Sequence, residues 1–209
     1  MPLPDPRMRI LASDDFDRAD GTLGANWTTR TGAEDPQIVS SKLRAKTVDF
    51  TACSGYTGIT WPNNQWSQGI LDTVGGATYT EHGLILRYQV ANALRYRCYI
   101  TGPAGAAKDA EIRDTAGAVI ATRSDVITSA GDLMTFDVVG TRFRLWQNST
   151  LLLTANDSVQ LSGSPGVNLY ISPGGSLSDM IMDDWIGGDF APLSSAQAQR
   201  NRRSAGRYR

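Results

Sequence analysis

The chain has 209 residues, is 41% hydrophobic and 20% charged, and carries a formal net charge of −1. That length fits one all-β domain or two small ones, with enough apolar surface for a real core. Near-neutral charge gives no global attraction to nucleic acid or to an anionic membrane. No run reaches the ~20 apolar residues of a membrane span, and the opening MPLPDPRMRI has no apolar signal-peptide segment.

Residues 1–12 read as an extended Pro-rich arm, since Pro2, Pro4 and Pro6 stand at alternate positions. Next comes DDFDRADGTLGANW, with four acidic residues in seven positions (Asp14, Asp15, Asp17, Asp20), then two glycines and Trp27. WPNNQW reads as a loop with two aromatics, Trp61 and Trp66, of which at least one is expected to anchor in the core.

From there the dominant signal is period two, the mark of strands. GLILRYQV places Leu84, Leu86, Tyr88 and Val90 on one face. LRYRCYI sets Leu94, Tyr96, Cys98 and Ile100 against Arg95, Arg97 and Tyr99. The Ala-rich stretch 103–131 reads as a hairpin turning at Ala116-Gly117. TRFRLWQ sets Phe143, Leu145 and Gln147 against Arg142, Arg144 and Trp146, after a Gly140-Thr141 turn. GVNLYIS points Val167, Leu169 and Ile171 inward. Residues 192–209 form a tail with five arginines in its last ten positions. With few apolar residues it is expected to be disordered on its own. No window shows a helical stripe. About a dozen short strands with regular turns predict a two-sheet antiparallel β-sandwich over residues 13–191.

Candidate chemistry is sparse. There are 18 Asp, only three Glu (Glu34, Glu81, Glu111) and one histidine. His82 has no nucleophile motif beside it and reads as a surface histidine entering a strand. Cys53 and Cys98 are far apart and read as free, buried thiols. Asp15 and Asp17 near one end, and Asp183 and Asp184 near the other, are the candidate calcium ligands, set against a plain solvated acidic face. Arg95, Arg97 and Tyr99, with Arg142, Arg144 and Trp146, present aromatics among arginines on non-core faces. Such a face suits a sugar ring or a protein partner, or it simply covers apolar surface. Trp61 and Trp66 are weaker candidates for the same role. Arg200, Arg202, Arg203, Arg207 and Arg209 are candidates for docking on an acidic groove of a neighbouring subunit, in preference to nucleic acid.

The stretch DxFxRxxGxLGxxW (Asp14, Phe16, Arg18, Gly21, Leu23, Gly24, Trp27) resembles the start of the concanavalin A-like lectin/glucanase superfamily in its laminin-G-like jelly-roll form. IVSSKLRA (38–45), DVVGTRFRLWQNSTLLLTAND (137–157) and DMIMDDWIGGDF (179–190) are similar to later strands of that fold. The resemblance implies a jelly roll whose first and last strands pair, and a structural calcium near them.

Glycosidases of that superfamily share an ExDxxE strand that puts two carboxyls on one sheet face, and retaining hydrolysis needs them about 5–5.5 Å apart. The chain lacks the motif. Glu111 and Asp114 are three apart and face opposite ways on a strand. The expectation is therefore a chain without enzyme activity. The opening also resembles domains of double-stranded DNA bacteriophage virion proteins. That resemblance implies a minor tail, fibre or decoration subunit, located in the virion and bound to other virion proteins or to copies of itself. A glycan-binding module for host surface carbohydrate is the alternative, and a glycosidase the third reading.

Overall fold

The computed structural model describes residues 7–74, 79–101 and 108–191. The Pro-rich residues 1–6 and the arginine tail with Arg200, Arg202, Arg203, Arg207 and Arg209 lie outside these.

In chain order the strands are β1 (Met8–Asp14), β2 (Gly21–Thr22), β3 (Trp27–Thr29), β4 (Gln37–Val39), β5 (Lys42–Arg44) and β6 (Thr51–Tyr56). Then come β7 (Gln65–Val74), β8 (Thr80–Tyr88), β9 (Tyr96–Thr101), β10 (Lys108–Arg113) and β11 (Val119–Val126). The last are β12 (Asp132–Val139), β13 (Arg142–Gln147), β14 (Thr150–Asn156), β15 (Ser164–Ile171) and β16 (Met180–Phe190). A single 3-10 turn, Leu177–Asp179, precedes β16.

They form two sheets. One has nine strands, ordered β14-β13-β12-β7-β16-β5-β4-β2, with β1 also paired to β16. The other has seven, ordered β11-β10-β9-β8-β15-β6-β3. Every pairing between named strands is antiparallel. This is the two-sheet sandwich expected from the sequence, in the concanavalin A-like jelly-roll form.

Alternation builds the core. Leu84, Leu86, Tyr96, Cys98, Ile100, Val167, Leu169 and Ile171 face in from the seven-stranded sheet. Leu71, Met134, Phe136, Val138, Phe143, Leu145, Met180 and Met182 face them from the other. At one end Trp27, Tyr56, Trp61 and Trp185 form an aromatic cluster, with Tyr56 stacked on Trp185 at 5.2 Å. Offset and edge-to-face pairs of this kind add stability beyond their buried area.

Two expectations of sequence periodicity change. Tyr88 does not continue the Leu84–Leu86 face. Arg87 adopts φ +54 and breaks the alternation, so Tyr88 joins Cys53 and Ile85 in a separate small cluster. Arg87 is 1% exposed and bonds the carbonyls of Asn63, Gln160 and Gly140. It ties loops together where an apolar residue would leave carbonyls bare. His82 is not at the surface either. It is 1% exposed, and its Nε2–H donates to the Thr73 carbonyl at 2.8 Å.

Candidate functional site

The acidic opening stretch resolves into a structural device. β1 ends at Asp14, so Asp15 and Asp17 lie beyond the first strand. Asp14 accepts hydrogen bonds from Arg18 Nη2 at 3.0 Å, from the Trp27 indole N–H at 2.8 Å and from the Phe16 amide at 3.0 Å. Phe16 turns into the core at φ +55 and is fully buried. The Asp-x-Phe-x-Arg…Trp pattern therefore closes the first loop.

Asp15 accepts from the Asp17 amide, and Asp17 from the Ser41 hydroxyl. Asp183 is ion-paired to Lys42, which also reaches Asp72 at 3.1 Å. Burial and the neighbouring Asp183 and Asp15 hold the Asp184 carboxyl above its ordinary range. Among the described residues no group of three or more His, Cys, Asp or Glu side chains could hold a metal ion. Asp15, Asp17, Asp183 and Asp184 are not gathered into one.

The two arginine–aromatic groups lie on opposite sides of the molecule. Arg144 and Trp146 point away from the core on the nine-stranded sheet, where both bond Asp137 (2.8 and 2.7 Å). Asp137 is fully buried, and Arg144 lies over the Trp146 ring at 5.2 Å. Arg142 is exposed beside the Gly140-Thr141 turn. Trp61 and Trp66 are 8% and 0% exposed. Their indole N–H groups are committed to the Tyr56 and Asp189 carbonyls, so neither offers a stacking surface.

The outer face of the seven-stranded sheet gathers the rest. Strand register lays its outward positions in three rows. One row holds Tyr170, Glu81, Thr101 and Asp109. The middle row holds Cys53, Asn168, Gly83, Tyr99 and Glu111. The third holds Gly55, Gly166, Ile85, Arg97 and Arg113.

Three features give this face its chemistry. First, tyrosines line the face: Tyr79 is exposed and Tyr170 half-buried, while Tyr99 is buried beneath two arginines. Tyr99 packs beside side-chain-free Gly83, where an added Cβ would sit 3.1 Å from its ring. Arg97 and Arg113 lie over the Tyr99 ring at 5.6 and 5.4 Å. Tyr79 and Tyr170 meet edge to face at 6.3 Å. Second, two carboxyls differ in setting. Glu111 is ion-paired to Arg113 at 2.8 Å. Glu81 takes a hydrogen bond from the Tyr79 hydroxyl at 3.1 Å, yet burial holds its carboxyl above the ordinary range. Third, Asn168 is fully buried, and neither its amide nitrogen nor its amide oxygen has a partner.

Of the sequence candidates, Arg95, Arg97 and Tyr99 fall on this face. Glu81, Glu111, Asn168, Tyr79, Tyr170 and Arg113 were not singled out as binding residues. They share the face only through cross-strand register, which alternation along one strand does not report. Asp114 lies past the end of β10, where it accepts the amides of Ala116 and Ala118.

The two-sheet jelly roll is a fold shared with solved structures of known proteins. The chain matches the endo-β-1,3-glucanase from Pyrococcus furiosus with a TM-score of 0.59 at 11% identity, over 89% of this chain and 96% of that one. It matches SCLam, a non-specific endo-β-1,3(4)-glucanase from family GH16, at 0.57 and 10% identity, over 88% and 91%. A β-1,3-1,4-glucanase (lichenase) derived from a mouse hindgut metagenome matches at 0.53 and 12% identity, over 87% and 99%. No family model and no curated protein matches the sequence. At these identities the likeness is one of fold.

The expectation of a chain without enzyme activity does not stand. The solved structures that share its fold over most of both chains are endo-glucanases, so the scaffold is one that carries glycoside hydrolysis. The missing ExDxxE strand excluded only carboxyls paired along one strand, and here Glu81 and Glu111 meet the same face from strands on either side of β9.

Proposed function

We propose that the protein acts on polysaccharide, binding it across the outer face of the seven-stranded sheet. The observation that carries this reading is the grouping of the accessible Tyr79 and Tyr170 with Glu81, Glu111, Arg97, Arg113 and Asn168 on that face. Tyrosine rings pack on the apolar faces of sugars, while the carboxyl, guanidinium and amide groups bond hydroxyls. The glucanase fold supports the same reading. Affinity electrophoresis through gels containing laminarin, lichenan or acidic polysaccharides tests it. Retardation by at least one polymer is expected, and Tyr79→Ala should weaken it while Trp146→Ala leaves it intact. A chain retarded by none of them refutes the proposal.

Hydrolysis of the bound chain is the second reading, favoured by one observation. Burial keeps the Glu81 carboxyl inclined to hold its proton, as a general acid must, while Glu111, on the other side of β9, is ion-paired to Arg113 of its own strand. Release of reducing sugar that is lost in both Glu81→Gln and Glu111→Gln supports it. A place on a virion is supported by the resemblance of the opening stretch alone.

A further inference from the structure

The same sheet face holds a charge arrangement that neutral sugar does not require. Arg30 follows β3 with its amide bonded to the Cys53 carbonyl at 2.9 Å, Arg95 and Arg97 come to the same face from the β9 side, and all three act electrostatically on the Cys53 thiol. Arg95 in turn feels both Arg97 and Arg30. The Nε of each of the three is buried without a hydrogen-bond partner. Among the described residues none of the three forms an ion pair. Arg95 is 5% exposed, and its Nη1 reaches the Ala93 carbonyl at 3.5 Å.

Among the described residues no carboxylate is ion-paired to this cluster. Burial holds the Cys53 thiol in its neutral form. The carboxyl that feels Arg97 is Glu81, itself held towards its neutral form by burial. Glu111 is committed to Arg113. Next to Cys53 across the strand pair stands Asn168, with both amide atoms unpartnered. A buried guanidinium without a counter-ion is costly, and the fork of N–H donors on arginine matches the paired oxygens of an oxyanion.

We propose that the polysaccharide taken by this face is acidic, and that Arg30, Arg95 and Arg97 hold its anionic substituent, with Asn168 bonding the adjoining sugar. The substituent is an oxyanion: a carboxylate, a sulfate ester or a phosphate diester. The inference rests on the reading of this face as a glycan site and adds the class of glycan.

Isothermal titration of the full chain at about 150 mM salt, where long-range attraction is screened, tests it. The probes are laminarin as neutral polymer, polygalacturonate for carboxylate, κ-carrageenan for sulfate and a ribitol teichoic acid for phosphate. Binding to one charged polymer at least about tenfold tighter than to laminarin is expected. Arg97→Gln and Arg30→Gln should remove that preference in chains with unchanged circular dichroism, and Arg97→Lys should restore part of it. Laminarin bound as tightly as every charged polymer, and weakened in Tyr79→Ala, would overturn the acidic assignment and leave the glycan site standing. A charged polymer bound equally well by the Arg→Gln variants would also overturn it. No binding to any of the four would remove both readings.

Discussion

At the scale of single residues, most of the polar side chains that the sequence makes conspicuous are occupied in the fold. Asp14 closes the first loop, Asp137 holds Arg144 and Trp146, and Arg87 bonds three carbonyls. His82 is the residue whose chemistry departs furthest from its expected setting. Burial lowers its pKa from 6.5 to about 4. Its folded value therefore lies below its unfolded one, so the unfolded chain binds the extra proton between these two values. The stability that goes with neutral His82 is complete above pH 6.5 and is lost as pH falls towards 4, by roughly 3 kcal/mol at most. Urea denaturation of wild type and His82→Gln at pH 7 and pH 4.5 reads this directly. The wild type should lose more stability than the variant over that interval. Equal losses would mean that His82 is protonated without cost.

At the scale of elements, hairpins are the parts that local sequence specifies best. The turn at Ala116-Gly117 was legible because Gly117 suits a positive φ, here +93. Gly140-Thr141 was legible for the same reason, with Gly140 at φ +62. Asp114, whose spacing from Glu111 argued against a carboxylate pair on one face, is the side chain that folds the first of these turns. Asp114→Ala should cost about 1–2 kcal/mol in chemical denaturation, and Asp114→Asn, which keeps a side-chain acceptor, much less. An unchanged midpoint in the alanine variant would remove Asp114 from the turn. Period two failed where the backbone leaves it. Arg87 at φ +54 and Asp184 at φ +47 each sit at a register break that moves the next side chain to the other face. A single strand read from sequence carries no sign of such a break.

At the scale of the whole molecule, the sandwich was legible because alternation repeats in strand after strand, and because the opening stretch serves a loop closure that needs its own residue types. The candidate site was half legible. Arg95, Arg97 and Tyr99 stand out on one strand, but Asn168, Glu81 and Glu111 join them only through pairing between β8, β9, β10 and β15. The same pairing splits Arg144 and Trp146 away to the opposite sheet. It also brings Glu81 and Glu111 to one face, which a motif read along a single strand does not report.

The central claim is that polysaccharide lies across the seven-stranded sheet. The most direct measurement is a crystal structure of the full chain grown with a short oligosaccharide of whichever polymer binds. The account predicts sugar packed on Tyr79 or Tyr170, within hydrogen-bond reach of at least one of Glu81, Glu111 and Arg97. Sugar stacked on Trp146 of the nine-stranded sheet, with the Tyr99 face empty, would contradict it.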